Sequence, residues 1–78
     1  MNPIRIIIAD DHLMVREGLK QLLEIDNDIV VVGQADDGIQ CLDLILQLNP
    51  DVILLDINMP NMNGIETLKK MKTKLLFT

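Results

Sequence analysis

The sequence predicts an α/β fold built on a parallel sheet, and three observations carry that expectation. Short β-branched runs alternate with segments of helical periodicity. The runs are apolar without alternation, as strands covered on both faces require. Each run ends in acidic or turn-forming residues that lead into a helix, so the order reads as βαβ units with right-handed crossovers and helices on both sides of the sheet.

Ile4 to Ala9 is the first such run, broken only by Arg5 and ended by Asp10 and Asp11. Val15, Leu19, Leu22 and Leu23 then fall at i, i+4, i+7 and i+8, the apolar stripe of an amphipathic helix. Ile29 to Val32 is a second strand, Asp36-Asp37-Gly38 supplies turn and capping chemistry, and Ile39, Leu42 and Leu46 recur at helical spacing. Asn49-Pro50 breaks the chain before a third strand, Val52-Ile53-Leu54-Leu55, which Asp56 ends. Asn61-Met62-Asn63-Gly64 is dense turn chemistry, after which Ile65, Leu68 and Met71 begin a third helix. The units share no side-chain signature, so their recurrence is architectural and not a sequence repeat.

At 78 residues the chain is one domain or less, and a domain of this size buries only about 60% of the surface its unfolded chain exposes. Apolar residues make up 49% of it and Phe77 is the one aromatic, a composition for a packed core and not a disordered tail. A net charge of −5 gives nucleic acid phosphates no counter-charge, which argues against direct binding of DNA or RNA. The single Cys41 allows no internal disulfide and points to a reducing compartment, with the cytoplasm as the expected location. The apolar run after Asn2-Pro3 is too short for a signal core or a membrane span, so no targeting or membrane segment is expected.

In open parallel sheets, ligands sit beyond the carboxyl ends of the strands. The residues there are Asp10, Asp11 and Asp56, and adjacency of the first and third strands brings three carboxylates to one edge. Each disfavours ionisation of the next, so the cluster either raises a pKa or recruits a cation. Magnesium suits it: a few carboxylates and a carbonyl suffice, with waters and a substrate phosphate completing an octahedron. Asp56 stands alone at its strand end and is the preferred nucleophile for an aspartyl phosphate; Asp10 and Asp11 hold the metal, and the Asn58 main chain can add a carbonyl ligand. His12 is read as a solvated helix start without a role, and Cys41 as a small apolar helix residue. Asp36, Asp37 and Asp51 are read as caps or terminators, and the Lys69 to Lys74 region as a solvated face. Met59 and Met62 are taken as cover for the site or a partner contact.

Arg5-Ile6-Ile7-Ile8-Ala9-Asp10-Asp11-His12 with Val15-Arg16-Glu17-Gly18-Leu19, and Pro50 to Pro60 with Asn63-Gly64-Ile65-Glu66, resemble the response-regulator receiver family over most of the chain. The acidic pair, the strand-ending Asp and the Met-Pro and Gly at these offsets make the resemblance specific. It implies a flavodoxin-like, doubly wound sheet of strand order 2-1-3-4-5. It also implies phosphorylation of Asp56 by the histidine of a sensor histidine kinase, with Mg2+ on Asp10, Asp11, Asp56 and the Asn58 carbonyl. The Asp10-Asp11-His12 and Arg16-Glu17-Gly18-Leu19 patterns resemble the transcription-regulating subfamily with a C-terminal helix-turn-helix output domain. Residues 1–78 are then a partial receiver domain without an output domain, a phosphoacceptor and not an enzyme in its own right.

The match departs from the family toward the C-terminus. Three βα units are present, with a possible fourth strand at Leu75-Leu76-Phe77-Thr78, and the family's later lysine has no counterpart. Thr78 takes the place of the hydroxyl residue that contacts the phosphoryl group if the connecting loop is shortened; otherwise the segment is an altered end of the third helix. Loss of one preorganised donor costs on the order of 3–4 kcal/mol of transition-state stabilisation. The third strand is also expected to become an exposed edge that invites pairing with another chain, as a homodimer or swapped dimer. The alternative function is therefore a phosphorylation-deficient half-receiver that acts as an interaction or dimerisation module. A metal-dependent phosphatase ranks last, because Asn58 stands where its second acid is expected.

Overall fold

The computed structural model describes residues 2–56, 59 and 74–77. β1 (Ile4–Ala9) leads through α1 (Leu13–Leu23) to β2 (Ile29–Ala35), then through α2 (Gly38–Leu48) to β3 (Val52–Leu55), with β4 (Lys74–Phe77) beyond. The strands form one sheet of order β2-β1-β3-β4, and every pairing is parallel. The α/β expectation holds, and the order is the start of the doubly wound pattern. The anticipated fourth strand is present one residue earlier than expected and pairs with Val52 to Leu55. β3 is consequently not the exposed edge foreseen from sequence: β4 supplies its second ladder, and among the described strands the edges are β2 and β4. The expected third helix at Ile65 to Met71 lies outside the described residues.

Because β1 lies between β2 and β3, the chain leaves it in one direction and returns on the other side, which places α1 and α2 on opposite faces. Alternation along β1 sends Ile7 and Ala9 into a cluster with Cys41 and Ile45 of α2, Ile53 and Leu55 of β3, Ala35 and Met59. Ile6 and Ile8 go to the other face with Val31, against Leu19 and Leu23 of α1. A β-bulge between Ile6 and Ile7 in the β1–β2 pairing interrupts the alternation of β2. Val32 packs on the α2 cluster, and the next residue, Gly33, also faces α2: a Cβ there would stand 3.2 Å from Leu48 Cδ1 and 3.5 Å from Leu44 Cδ1.

Helix faces were the weaker part of the sequence reading. On α2 the stripe of Ile39, Leu42 and Leu46 was expected inward, yet Ile39 and Leu46 are exposed while Gly38, Cys41 and Ile45 are buried. The polar residues of this helix, Gln40, Asp43 and Gln47, recur at i, i+3 and i+7 and are exposed, and the buried positions lie on the side opposite them, a face that the stripe of Ile39, Leu42 and Leu46 only flanks. On α1, Leu19 and Leu23 meet the sheet but Val15 and Leu22 remain exposed.

Local chemistry sets the element ends. Asp37 caps α2 by accepting from the Gln40 amide at 2.7 Å, while Gln40 Oε1 accepts from the Asp36 amide at 2.7 Å, a reciprocal arrangement of the capping-box kind. Asn49 ends α2 in the left-handed region at φ 49°, a conformation asparagine tolerates better than most residues. At the edge opposite the strand ends, Asp51 accepts from the Arg5 amide at 2.8 Å and its own amide donates to the Arg5 carbonyl at 2.9 Å, tying the starts of β1 and β3.

Ile53 is fully buried between β1 and α2. Ile53→Ala should cost about 2–5 kcal/mol in urea denaturation, against less than about 0.5 kcal/mol for Leu46→Ala on the exposed face of α2.

Candidate functional site

The carboxyl ends of β1 and β3 are adjacent at the point where the connections diverge, the usual place for a crevice in an open parallel sheet. One backbone bond aligns them, from the Asp56 amide to the Ala9 carbonyl at 2.9 Å, and a second, from the Asp10 amide to the Ala35 carbonyl at 3.0 Å, ties the end of β1 to that of β2. Carboxylate oxygens of Asp10, Asp11 and Asp56 and a ring nitrogen of His12 lie within 4.8 Å of one another. The three acids singled out in the sequence are thus brought together. Asn58 and Thr78, also singled out, lie outside the described residues.

Asp10 is buried and Asp11 is more open. His12 is the residue the sequence reading passed over. It starts α1 as expected and its side chain is largely exposed, but its Nδ1 lies 2.9 Å from Asp10 Oδ1 and 2.9 Å from Asp11 Oδ1. Its amide also donates to Asp10 Oδ1 at 2.9 Å. The signal was its position directly after the acidic pair, where a helix start turns the ring back toward the strand end. Met59 is corrected as well: it is a core residue, 3% exposed and packed with Ile7 and Leu55, so it anchors the chain after Asp56 beneath the site.

Burial pushes the Asp10 carboxyl up, but hydrogen bonds from the His12 amide and ring, with the attraction of the imidazolium, outweigh it and hold the group below the usual carboxylate range. The hydrogen bond to Asp10, then the charge of Asp11, raise the His12 imidazole above its ordinary value. The linked stability is opposite in sign for the two groups. The His12 contribution is complete below about 6.5 and is lost as pH rises through the higher folded value; the Asp10 contribution is present above about 3.9 and is lost as pH falls through the lower folded value. Away from the site, burial pushes the Cys41 thiol up to about 11, which leaves it a small apolar residue.

Gathered carboxylates answered by one imidazole carry an excess of negative charge, and hard oxygens at this spacing suit a divalent cation of the magnesium type. A doubly wound α/β domain with an acidic crevice at its switch point is the class that fold and site together define. The profile of the response regulator receiver domain matches residues 6–75, and the chain belongs to that family.

The relatives agree. The nitrate/nitrite response regulator protein NarL of Escherichia coli K12 is 53% identical over 74 residues, covering 95% of this chain and 34% of that protein. The transcriptional regulatory protein YdfI of Bacillus subtilis is 44% identical over 70 residues, covering 90% of this chain and 33% of that protein. The chain thus spans about a third of the length of these relatives, which are in line with the expected kinship to regulators bearing a helix-turn-helix output domain. Among solved structures, the receiver domain of a NarL from Mycobacterium tuberculosis superposes with TM-score 0.85 at 34% identity over 99% of this chain and 66% of that one. The response regulator domain of Thermotoga maritima CheB gives 0.86 at 40% identity, over 97% of this chain and 60% of that one.

In a proton–carbon NMR titration the His12 ring should titrate above about 6.5, and Asp10→Asn should move its midpoint down toward that value. An unchanged midpoint would show that the carboxylate does not hold the ring.

Proposed function

We propose that this chain accepts a phosphoryl group on Asp56 from the phosphohistidine of a sensor histidine kinase, and thereby serves as the switch of a transcription-regulating phosphorelay in the cytoplasm. The observation that carries this reading is the convergence of Asp10, Asp11 and Asp56 within 4.8 Å in a chain of the receiver family. In the proposed step an Asp56 carboxylate oxygen bonds to phosphorus as the phosphorus–nitrogen bond breaks, and the departing imidazole keeps that bond's electron pair. Asp10, Asp11, Asp56 and the Asn58 main-chain carbonyl would hold Mg2+, which supplies positive charge against the carboxylates and the phosphoryl oxygens.

The chain's own contribution is placement. The amide of Asp56 is held on Ala9 and the Met59 amide donates to the Asp56 carbonyl at 3.4 Å, so the acceptor is fixed from both sides of its peptide. Asp10 is held at its amide by Ala35 and at its carboxylate by His12. Thr78, next in sequence after β4, is proposed as the hydroxyl contact to the phosphoryl group. Residues 1–78 act here as the receiver portion, a phosphoacceptor and not an independent enzyme.

One observation favours a second reading, an interaction module that pairs with itself. Helix α1 has no fully buried residue, and Met14 at 87% and Leu22 at 65% exposure leave apolar surface for a partner helix or a second copy.

Intact-mass spectrometry after incubation with acetyl phosphate and magnesium should show the gain of one phosphoryl group in the parent chain and none in Asp56→Asn. A folded parent that gains nothing would overturn the phosphoacceptor reading; if it also sediments as a dimer, the second reading stands in its place.

A further inference from the structure

Arg16 makes contacts that neither the core nor the acceptor chemistry accounts for. Its Nη1 donates to the Asp10 main-chain carbonyl at 2.6 Å and its Nε donates to Gln34 Oε1 at 3.1 Å. Gln34 Nε2 in turn donates to Glu17 Oε1 at 3.4 Å. One guanidinium on α1 therefore bridges the end of β1 and the end of β2, and a carboxylate on the next residue of the same helix steadies the amide that holds it.

The bulge in β2 makes this bridge possible. Val31 lies on the α1 face and Val32 on the α2 face, so uninterrupted alternation would send Gln34 toward α2 and Ala35 toward α1. The extra residue at the bulge reverses the parity: Gly33 and Ala35 go to the α2 side, and Gln34 to the α1 side, where Arg16 meets it. Bulges commonly re-aim a side chain next to a functional edge. With the Ala35 carbonyl on its amide, Arg16 on its carbonyl and His12 on its carboxylate, Asp10 is constrained at each polar group.

We propose that Arg16, clamped by Gln34, is a positioning residue for the acidic pair: it fixes the Asp10 peptide, and through it the Asp10 and Asp11 carboxylates, in the arrangement that binds a divalent cation. The proposal rests on the reading of this crevice as a metal-dependent phosphoacceptor site. It makes a prediction opposite in sign to the simpler view of Arg16 as a nearby positive charge. A cation beside the site repels a metal ion, so its removal on that view tightens binding. Removal of a positioning residue loosens it, by about tenfold when an outer partner of a ligand is lost.

Gln34→Leu separates the two views most cleanly, because it leaves the charge of Arg16 in place and removes only its holder. Arg16→Lys also keeps the charge, but one ammonium lacks the planar fork that reaches the Asp10 carbonyl and Gln34 together. The measurement is a magnesium titration followed on backbone amide resonances of folded molecules, beside urea denaturation without metal. Resonances of folded molecules make the dissociation constant insensitive to stability alone. The expected result is a magnesium dissociation constant about tenfold higher in both variants than in the parent. Equal or tighter binding in Gln34→Leu would overturn the positioning role while leaving the phosphoacceptor reading intact. If the parent itself binds no magnesium, the reading of the crevice fails and this role fails with it.

Discussion

The structure depends on the position of β1. It pairs in parallel with β2 on one edge and β3 on the other, which forces two crossovers of opposite direction and puts a helix on each face. A strand so enclosed has to be apolar on both sides, which is why Ile6, Ile7, Ile8 and Ala9 are all buried. The same enclosure leaves its carboxyl end as the place where polar groups can gather without breaking the core.

That gathering works against the local electrostatics. Three carboxylates at one edge repel one another, and the fold holds them there with backbone bonds from Asp56 to Ala9 and from Asp10 to Ala35. The His12 ring offsets part of the repulsion by contacting both members of the acidic pair. Like charges at this spacing stay together only because the surrounding scaffold holds them, and a bound cation would offset their repulsion. The burial of Leu55 and Met59 below the edge anchors the chain on both sides of Asp56.

The two faces of the sheet are not equally served. On the α2 side the cluster includes Ile7, Ile53, Leu55, Cys41 and Ile45; on the α1 side three buried residues rest against Leu19 and Leu23, and Val52 is only partly covered. This asymmetry explains why α1 has a clear apolar stripe and yet buries no residue fully. A helix laid on two strands covers its own footprint and no more, so Leu22 and Val15 on its flank stay in solvent.

The sequence by itself determined the element order, the bounds of β1 and β3, and the identity of the three strand-ending acids, because unalternated β-branched runs and acid-terminated strands are local signals. It also placed a fourth strand within one residue of where β4 forms. What only the tertiary structure decided is which groups meet. The protection of β3 depended on a partner strand arriving from residues 74–77. The bulge that turns Gln34 toward Arg16 leaves no periodic trace. It arises from pairing register and helix placement, which are set by contacts between residues far apart in the chain.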